Sequence, residues 1–199
     1  YDHVPKQLNQ RQISSLQALS RQVIAILELK KVGEQLHNTS MTDALTGVNN
    51  RRAFDLKFEA EFARWQRTGQ SFVLALIDID HFKQVNDQYG HIIGDEVIQF
   101  VAQCLKDNVR TSDLLVRYGG DEFLVLIENI DFDNARKIAD KIRSEVEGAY
   151  ILSENGDQIQ VSVSVGVAIG AQSWISLFTK ADKALFVAKG QGRNAVAEV

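Results

Sequence analysis

Residues 72–80 read Phe72-Val73-Leu74-Ala75-Leu76-Ile77-Asp78-Ile79-Asp80, an apolar run that ends in acidic residues. The run from Phe72 to Ile77 is short and unbroken, which predicts a strand buried on both faces. Because side chains alternate along a strand, we expect Asp78 and Asp80 to share one face at its carboxyl end. Such a pair favours a hard cation such as Mg²⁺, although two capping or solvated aspartates would give the same pattern.

The segments around this strand predict an α+β fold. Helical spacing predicts helices over residues 51–67, 94–109, 131–146 and 176–189. Strands are predicted over residues 114–118, 122–127 and 161–169, with a short edge strand over 195–199. The order strand, helix, hairpin, helix, strand, helix is the ferredoxin-like plan. We therefore expect a ferredoxin-like or palm-type, antiparallel-centred sheet flanked by helices, a plan that many unrelated functions share.

A long helix is predicted ahead of this fold, over residues 10–35, where apolar residues recur at helical spacing. Lys30 and Gly33 interrupt the apolar stripe, so a coiled-coil pattern is sustained for about two heptads. We interpret the segment as a docking or dimerising helix, and a helix lying on its own domain is the alternative. Periodicity is lost over residues 36–42, where we predict a hinge, with a linker helix in 1–42 and a second domain in 43–199.

Composition excludes several classes of function. A length of 199 residues predicts one domain with an appended segment, and the net charge of −4 lacks the positive field that sequence-independent nucleic-acid binding needs. The longest apolar run has six residues, which predicts no membrane span. The lone Cys104 and the absence of a secretory signal favour the cytoplasm. The chain begins without methionine, which suggests a piece of a longer protein.

A second acidic pair, Asp121 and Glu122, follows Gly119-Gly120 at the tip of the predicted hairpin. In a ferredoxin-like sheet the hairpin lies beside the first strand, so both acidic pairs are expected to converge. The glycines have no Cβ, which lets a nucleotide approach the backbone closely. Acidic residues on both sides of one sheet edge are typical of metal-dependent phosphoryl transfer in palm-type polymerases and nucleotide cyclases.

The stretch Arg117-Tyr118-Gly119-Gly120-Asp121-Glu122-Phe123 resembles the motif of the GGDEF family, the diguanylate cyclases that make cyclic di-GMP from two GTP. The resemblance covers about Asp43 to Val199, with Val48 where leucine is usual. Further matching segments are Asp43-Ala44-Leu45-Thr46-Gly47-Val48-Asn49-Asn50-Arg51-Arg52, Asp78-Ile79-Asp80-His81-Phe82-Lys83, Gly90-His91-Ile92-Ile93-Gly94-Asp95 and Lys189-Gly190-Gln191-Gly192-Arg193-Asn194.

This resemblance implies a GTP-using nucleotidyltransferase that depends on Mg²⁺ or Mn²⁺. It implies metal binding by the carboxylates of Asp78 and Asp121 and by the Ile79 carbonyl. Asp121 is the expected proton acceptor, with Glu122 in reserve, and Lys83 is expected to stabilise the transition state. The remaining residues implied to contact substrate are Asn86 and Asp95 at guanine, Lys83, Lys189 and Arg193 at the triphosphate, and Phe82, His91, Gly119 and Gly120 around the nucleotide.

The resemblance also implies regulation and assembly. Arg110 and Asp113, spaced as Arg-x-x-Asp before the hairpin, resemble an inhibitory site for the product, with Lys141 where an arginine is common. Residues 5–31 resemble the closing helix of a GAF sensory domain, a linker between two catalytic domains. Because one domain holds one GTP, we expect a symmetric homodimer formed through this helix and facing active sites. The competing hypotheses are a non-catalytic GTP- or cyclic di-GMP-binding module and a purely structural domain.

Overall fold

The predicted elements occur in the predicted order in a computed structural model of the chain, which describes residues 10–39, 41–68, 72–153, 156–170 and 173–198. Its helices are α1 (Gln10–Thr39), α2 (Arg51–Thr68), α3 (Phe82–Tyr89), α4 (His91–Asn108), α5 (Phe132–Glu147) and α6 (Trp174–Gly190). Its strands are β1 (Asn49–Asn50), β2 (Phe72–Ile79), β3 (Leu114–Arg117), β4 (Glu122–Glu128), β5 (Ile151–Leu152), β6 (Gln158–Ile159), β7 (Val163–Ile169) and β8 (Val196–Glu198). The predicted α+β class is confirmed.

Six strands form the central sheet in the order β1-β3-β4-β2-β7-β8. Strand β2 lies in the middle, antiparallel to both β4 and β7, and the four strands β3-β4-β2-β7 have the ferredoxin-like order. The register pairs Asp78 of β2 with Glu122 of β4 on one side and with Ser164 of β7 on the other. The hairpin therefore lies beside the first strand, as the ferredoxin-like plan requires.

Helices cover both faces of the sheet because β2 is apolar on both. Val73, Ala75 and Ile77 belong to a core that includes residues of α4 and α5, and Leu74 and Leu76 to a second core with residues of α2 and α6. Continuing the alternation of β2 assigns Asp78 to the face that α6 covers. The backbone of α6 approaches β7 closely at Gly166, where an added Cβ would lie 2.2 Å from backbone atoms of that helix.

Several local features differ from the sequence prediction, among them the bounds or presence of three helices. The hinge predicted over residues 36–42 stays a prediction, but the helix does not end at residue 35 as predicted, because α1 continues through residues 36–39. These residues include no Gly or Pro, and each costs less than about 0.7 kcal/mol in a helix relative to alanine. Helix α3 was not predicted, because its eight residues bury only Val85 and leave no periodic stripe. Helix α4 begins at His91 rather than at residue 94.

The chain divides into two compact units, Tyr1–Ser40 and Met41–Val199. In the first unit, residues 10–31 of α1 are all exposed, among them eight large apolar side chains. The second unit contains the six-stranded sheet and its covering helices. Within the described residues, no helix has the length and apolar character that a membrane span requires.

Candidate active site

The predicted acidic residues come together where β2 ends beside the start of β4. Asp78 is the register partner of Glu122, and the amide of Ile79 donates a hydrogen bond to the Asp121 carbonyl over 3.2 Å. Asp78 is buried, whereas Asp121 and Glu122 are half-buried. The structure therefore gathers three of the predicted carboxylate residues and the Ile79 backbone at one end of the sheet.

The two glycines of the hairpin tip make room for this cluster. The amides of Tyr118 and Gly119 both donate to the Glu122 carbonyl, over 2.9 and 3.2 Å, which closes the turn. A Cβ at Gly119 would lie 2.6 Å from Oε2 of Glu122, so a side chain here would displace the carboxylate. Nothing lies within 4 Å of the corresponding position at Gly120. The turn is thus open on one side and packed against Glu122 on the other.

Arg117 holds the hairpin turn in place, a role that the sequence pattern does not indicate. Its Nη1 donates to both carboxylate oxygens of Asp43, at 3.0 and 3.1 Å, and its Nε and Nη2 donate to the Gly120 carbonyl. Asp43 also accepts from the amide and hydroxyl of Thr46. Burial opposes ionisation of Asp43, but the hydrogen bonds from Thr46 and Arg117 outweigh it and hold the pKa of this carboxyl below its usual range.

Lys189 contacts the acidic cluster directly, because its Nζ lies 2.8 Å from Oδ2 of Asp78. Even so, burial raises the pKa of the Asp78 carboxyl above its usual range, Lys189 opposes that shift, and the neighbouring Asp121 and Asp80 carboxylates reinforce it. Burial likewise raises the pKa of Glu122, with further contributions from Asp78 and Asp121. The cluster contains three carboxyl groups, those of Asp78, Asp121 and Glu122, and one ammonium group, that of Lys189, and this imbalance of formal charge favours an additional cation.

Asp80 forms hydrogen bonds within the fold, although its spacing from Asp78 favoured a cation ligand. Its side chain accepts hydrogen bonds from the hydroxyls of Ser162 and Ser164, at 2.7 and 2.6 Å, and from the amide of Asn194 at 2.9 Å. The residue is 4% exposed. These contacts fit the alternative of a capping aspartate for Asp80, whose oxygens hold the segment after α6, where Arg193 has a left-handed backbone.

Helices α3 and α4 carry the residues expected at guanine. The chain turns from β2 into α3 at His81, which has φ 56°. The side chain of Asn86 lies against Gly94 so closely that a Cβ there would be 1.9 Å from Oδ1 of Asn86. Asp95 follows Gly94 on the exposed surface of α4. Among the other predicted substrate residues, Lys83, His91 and Arg193 are exposed and Phe82 is half-buried.

The predicted product site is only partly brought together. The Asp113 carboxylate accepts from the Arg110 amide over 2.8 Å, and both residues line a cavity of about 270 Å³. Lys141 is not among the residues that line it and instead pairs with Glu145, one helical turn away, at 3.6 Å. Arg110 and Asp113 thus share a cavity, whereas the third expected residue, Lys141, forms an ion pair within its own helix.

The donor set suits a hard divalent cation that keeps part of its coordination for water and phosphate. Within the described part of the chain, no group of three or more His, Cys, Asp and Glu side chains could hold a metal ion by itself. Mg²⁺, however, is commonly held by one or two carboxylates together with substrate phosphates. Asp78 and Asp121 are two carboxylate residues at one end of the sheet, and the Ile79 backbone lies beside them.

Comparison with known proteins identifies a family that matches most of the chain. Residues 40–195 match the family described as "Diguanylate cyclase, GGDEF domain". The diguanylate cyclase DosC of Escherichia coli strain K12 is 39% identical over 177 residues, which are 88% of this chain and 38% of DosC. The response regulator PleD of Caulobacter vibrioides strain NA1000 is 36% identical over 191 residues, 90% of this chain and 42% of PleD. This chain thus spans about two fifths of the length of these relatives.

A solved structure has a similar fold over nearly the whole chain. It is the crystal structure of the coiled coil and GGDEF domain of DgcB from Caulobacter crescentus in complex with c-di-GMP. The TM-score is 0.89 at 32% sequence identity, and the match covers 93% of this chain and 100% of that one.

Proposed function

This chain belongs to the GGDEF-domain family of diguanylate cyclases, and we propose that it joins two molecules of GTP into cyclic di-GMP with release of two pyrophosphates. The observation that carries the proposal is the cluster of Asp78, Asp121 and Glu122 beside the open Gly119-Gly120 turn. In each of the two steps, the 3′-hydroxyl of one GTP attacks the α-phosphate of the other. One P–O bond forms as the bond to pyrophosphate breaks, and the hydroxyl proton passes to a base.

Asp78, Asp121 and the Ile79 carbonyl are proposed to hold Mg²⁺, or Mn²⁺ in its place. When bound, the metal neutralises charge on the phosphates and lowers the pKa of the attacking hydroxyl. Asp121 is proposed as the proton acceptor, with Glu122 in reserve. Burial raises the pKa of the Glu122 carboxyl, which is the direction that suits a base at neutral pH. Lys83 is proposed to stabilise the charge that develops on the phosphate.

Substrate recognition is proposed to use both helices beyond β2. Asn86 and Asp95 would pair with the guanine edge, whose N1–H and N2–H groups are donors that a carboxylate accepts well. Lys189 and Arg193 would hold the triphosphate, with Arg193 positioned by the loop that Asp80 anchors. Phe82, His91, Gly119 and Gly120 would border the nucleotide. Asp43 and Arg117 position the hairpin without contacting the substrate.

Incubation with GTP and Mg²⁺, followed by chromatography of the nucleotides, tests the activity. We expect cyclic di-GMP from the wild-type chain and none from Asp121→Asn. Asp107→Asn is the control, because Asp107 is an exposed aspartate on α4 that bonds to Gln103. If the wild-type chain binds GTP yet forms no cyclic di-GMP at any protein concentration, the alternative of a non-catalytic nucleotide-binding module replaces the proposal.

The active form is proposed to be a symmetric homodimer with facing active sites, residues 43–199 being the catalytic unit. Helix α1 supports this, because its exposed apolar side chains include Leu16, Leu19, Val23 and Ile26, which a second copy of the helix would cover. Specific activity should rise with protein concentration. Replacing Val23 and Ile26 with charged residues should lower activity in dilute protein, whereas Gln22→Glu should not. Activity independent of concentration in a monomeric chain would contradict this assembly.

Product inhibition is proposed to act through Arg110 and Asp113, which line one cavity. Lys141 is proposed as their third partner, which requires it to leave Glu145. In a progress curve, Arg110→Ala should remove the slowing that accompanies product accumulation, and an unchanged curve would refute the role.

We further propose that α1 is the closing helix of a GAF sensory domain and that the chain acts in the cytoplasm. Recovery of the chain outside the cytoplasmic compartment would refute that location.

A further inference from the structure

We propose that Lys189 competes with the divalent cation for Asp78, and that transfer of its ammonium to the triphosphate of GTP opens the metal site. The inference rests on the proposed function, because it takes a nucleoside triphosphate as the ligand. It adds an order to binding: the metal site becomes fully available when the nucleotide arrives, and the cation alone binds weakly.

The contact that carries this inference is direct. The Nζ of Lys189 lies 2.8 Å from Oδ2 of Asp78, and the side chains are 34% and 12% exposed. The ammonium is a compact point charge with three donors, so at this distance it takes one of the two oxygens that the metal would use. A cation that binds Asp78 must therefore displace Lys189 or share the carboxylate with it. Either arrangement lowers the affinity for a cation that arrives alone.

The position of Lys189 allows its side chain to move without a change in the fold. It is the penultimate residue of α6, and its four-carbon stem lines an open groove of about 520 Å³ whose walls also include Glu122, Lys183 and Phe186. The ammonium can leave Asp78 by rotating about its own side-chain bonds, as long lysine side chains commonly do. Phosphate oxygens beside Glu122 would then offer it a denser negative charge than one carboxylate.

Competition of this kind makes metal and nucleotide binding mutually favourable. A triphosphate that takes Lys189 frees Asp78 for the cation, and a cation on Asp78 frees Lys189 for the triphosphate. By thermodynamic reciprocity both effects have the same size. Replacing Lys189 with an uncharged residue should therefore strengthen binding of the metal alone and weaken the coupling between the two ligands.

Titration with Mn²⁺, followed by the electron paramagnetic resonance signal of the free ion, tests the competition in the full chain without nucleotide. We expect Lys189→Met to bind Mn²⁺ about fivefold more tightly than the wild type, the equivalent of removing one partly exposed ion pair. Lys180→Met removes an exposed lysine of the same helix that does not line the groove, and this variant should match the wild type. Equal or weaker binding by Lys189→Met would overturn the inference.

Two further measurements keep the test decisive. If Lys189→Met does not fold, as judged by circular dichroism, Lys189→Gln replaces it in the same titration with the same expected sign. Repeating the titration with a saturating unreactive GTP analogue should increase Mn²⁺ affinity more in the wild type than in the variant, after correction for Mn²⁺ bound by the analogue itself. An equal increase in both overturns the coupling. Failure to form cyclic di-GMP would refute the proposed function but not the competition for Asp78, because the metal titration without nucleotide involves no turnover.

Discussion

Gly94→Ala should impair recognition of guanine while leaving the domain folded. A Cβ at Gly94 would stand 1.9 Å from Oδ1 of Asn86, 3.0 Å from its Cγ and 3.3 Å from Cζ of Phe82. Contacts below 3.0 Å essentially do not occur, so the carboxamide of Asn86 must move by more than about 1 Å. The atoms that yield belong to flexible side chains, and the backbone of α4 keeps its position.

The expected magnitudes differ sharply between stability and binding. Alanine in place of glycine inside a helix gains about 1 kcal/mol, and a displaced rotamer of Asn86 costs about 0.5–1.5 kcal/mol, so the two nearly cancel. A guanine group left without its partner costs about 1–3 kcal/mol, which corresponds to GTP binding about 5- to 150-fold weaker. The melting temperature should therefore stay within about 4 °C of the wild type.

A double-mutant cycle measured by calorimetric titration with an unreactive GTP analogue tests this reasoning. Asn86→Ala should weaken binding about as much as Gly94→Ala, and adding Gly94→Ala to Asn86→Ala should have little further effect. Thermal unfolding of the same proteins provides the control for stability. Wild-type affinity in Gly94→Ala would refute the role assigned to Asn86. Two independent, additive losses would show that Gly94 acts through something other than this side chain.

Three further outcomes follow from the fold and the site. Gly166→Ala forces a Cβ to within 2.2 Å of the α6 backbone, so urea unfolding should show a loss of about 1–3 kcal/mol, and an unchanged midpoint would refute the close packing. Arg117→Met leaves the half-buried Asp43 without its cationic partner and should cost about 2–3 kcal/mol by the same assay; a loss no larger than that of Arg136→Met would count against it. Because the pKa values of Asp78 and Glu122 are raised, these carboxyls take up protons, and Mn²⁺ affinity falls, at a pH above the ordinary carboxyl value of about 4. Affinity that is constant down to that pH would disprove the shift.

The sequence predicts the elements that have a clear pattern of apolar residues or a capping residue. Strand β2 is an unbroken apolar run, and α5 begins next to Asp131, whose side chain accepts from the Asn134 amide as its N-cap. Helix α3 and the two-residue strands have too few buried positions to leave a pattern. The apolar stripe of α1 ends before the helix does, so periodicity alone underestimates its length, because the backbone needs no stripe to remain helical.

Residues of the site were predictable where the motif is contiguous, and their partners were not. Asp121 and Glu122 could be placed beside Asp78 because the ferredoxin-like plan fixes which strands are neighbours. The bonds from Arg117 to Asp43 and from Asn194 to Asp80 span 74 and 114 residues, and no local periodicity encodes them. All four residues lie within segments that match the family's motifs. The match marks them as family residues, but it does not indicate which of them contact one another.

These long-range partners explain how one end of a sheet tolerates so many acidic residues. Asp43 receives Arg117 and Thr46, and Asp80 receives two serine hydroxyls and an amide, so their charges are compensated by groups fixed in the fold. Asp78 instead receives a lysine on a flexible stem at the end of α6. Carboxylates whose partners are fixed in the fold stabilise the structure around the site. A carboxylate whose partner can move away is able to bind a ligand in its place. This difference separates Asp78 from Asp80, two residues along the same chain, and it is the reason that metal binding is proposed for the first.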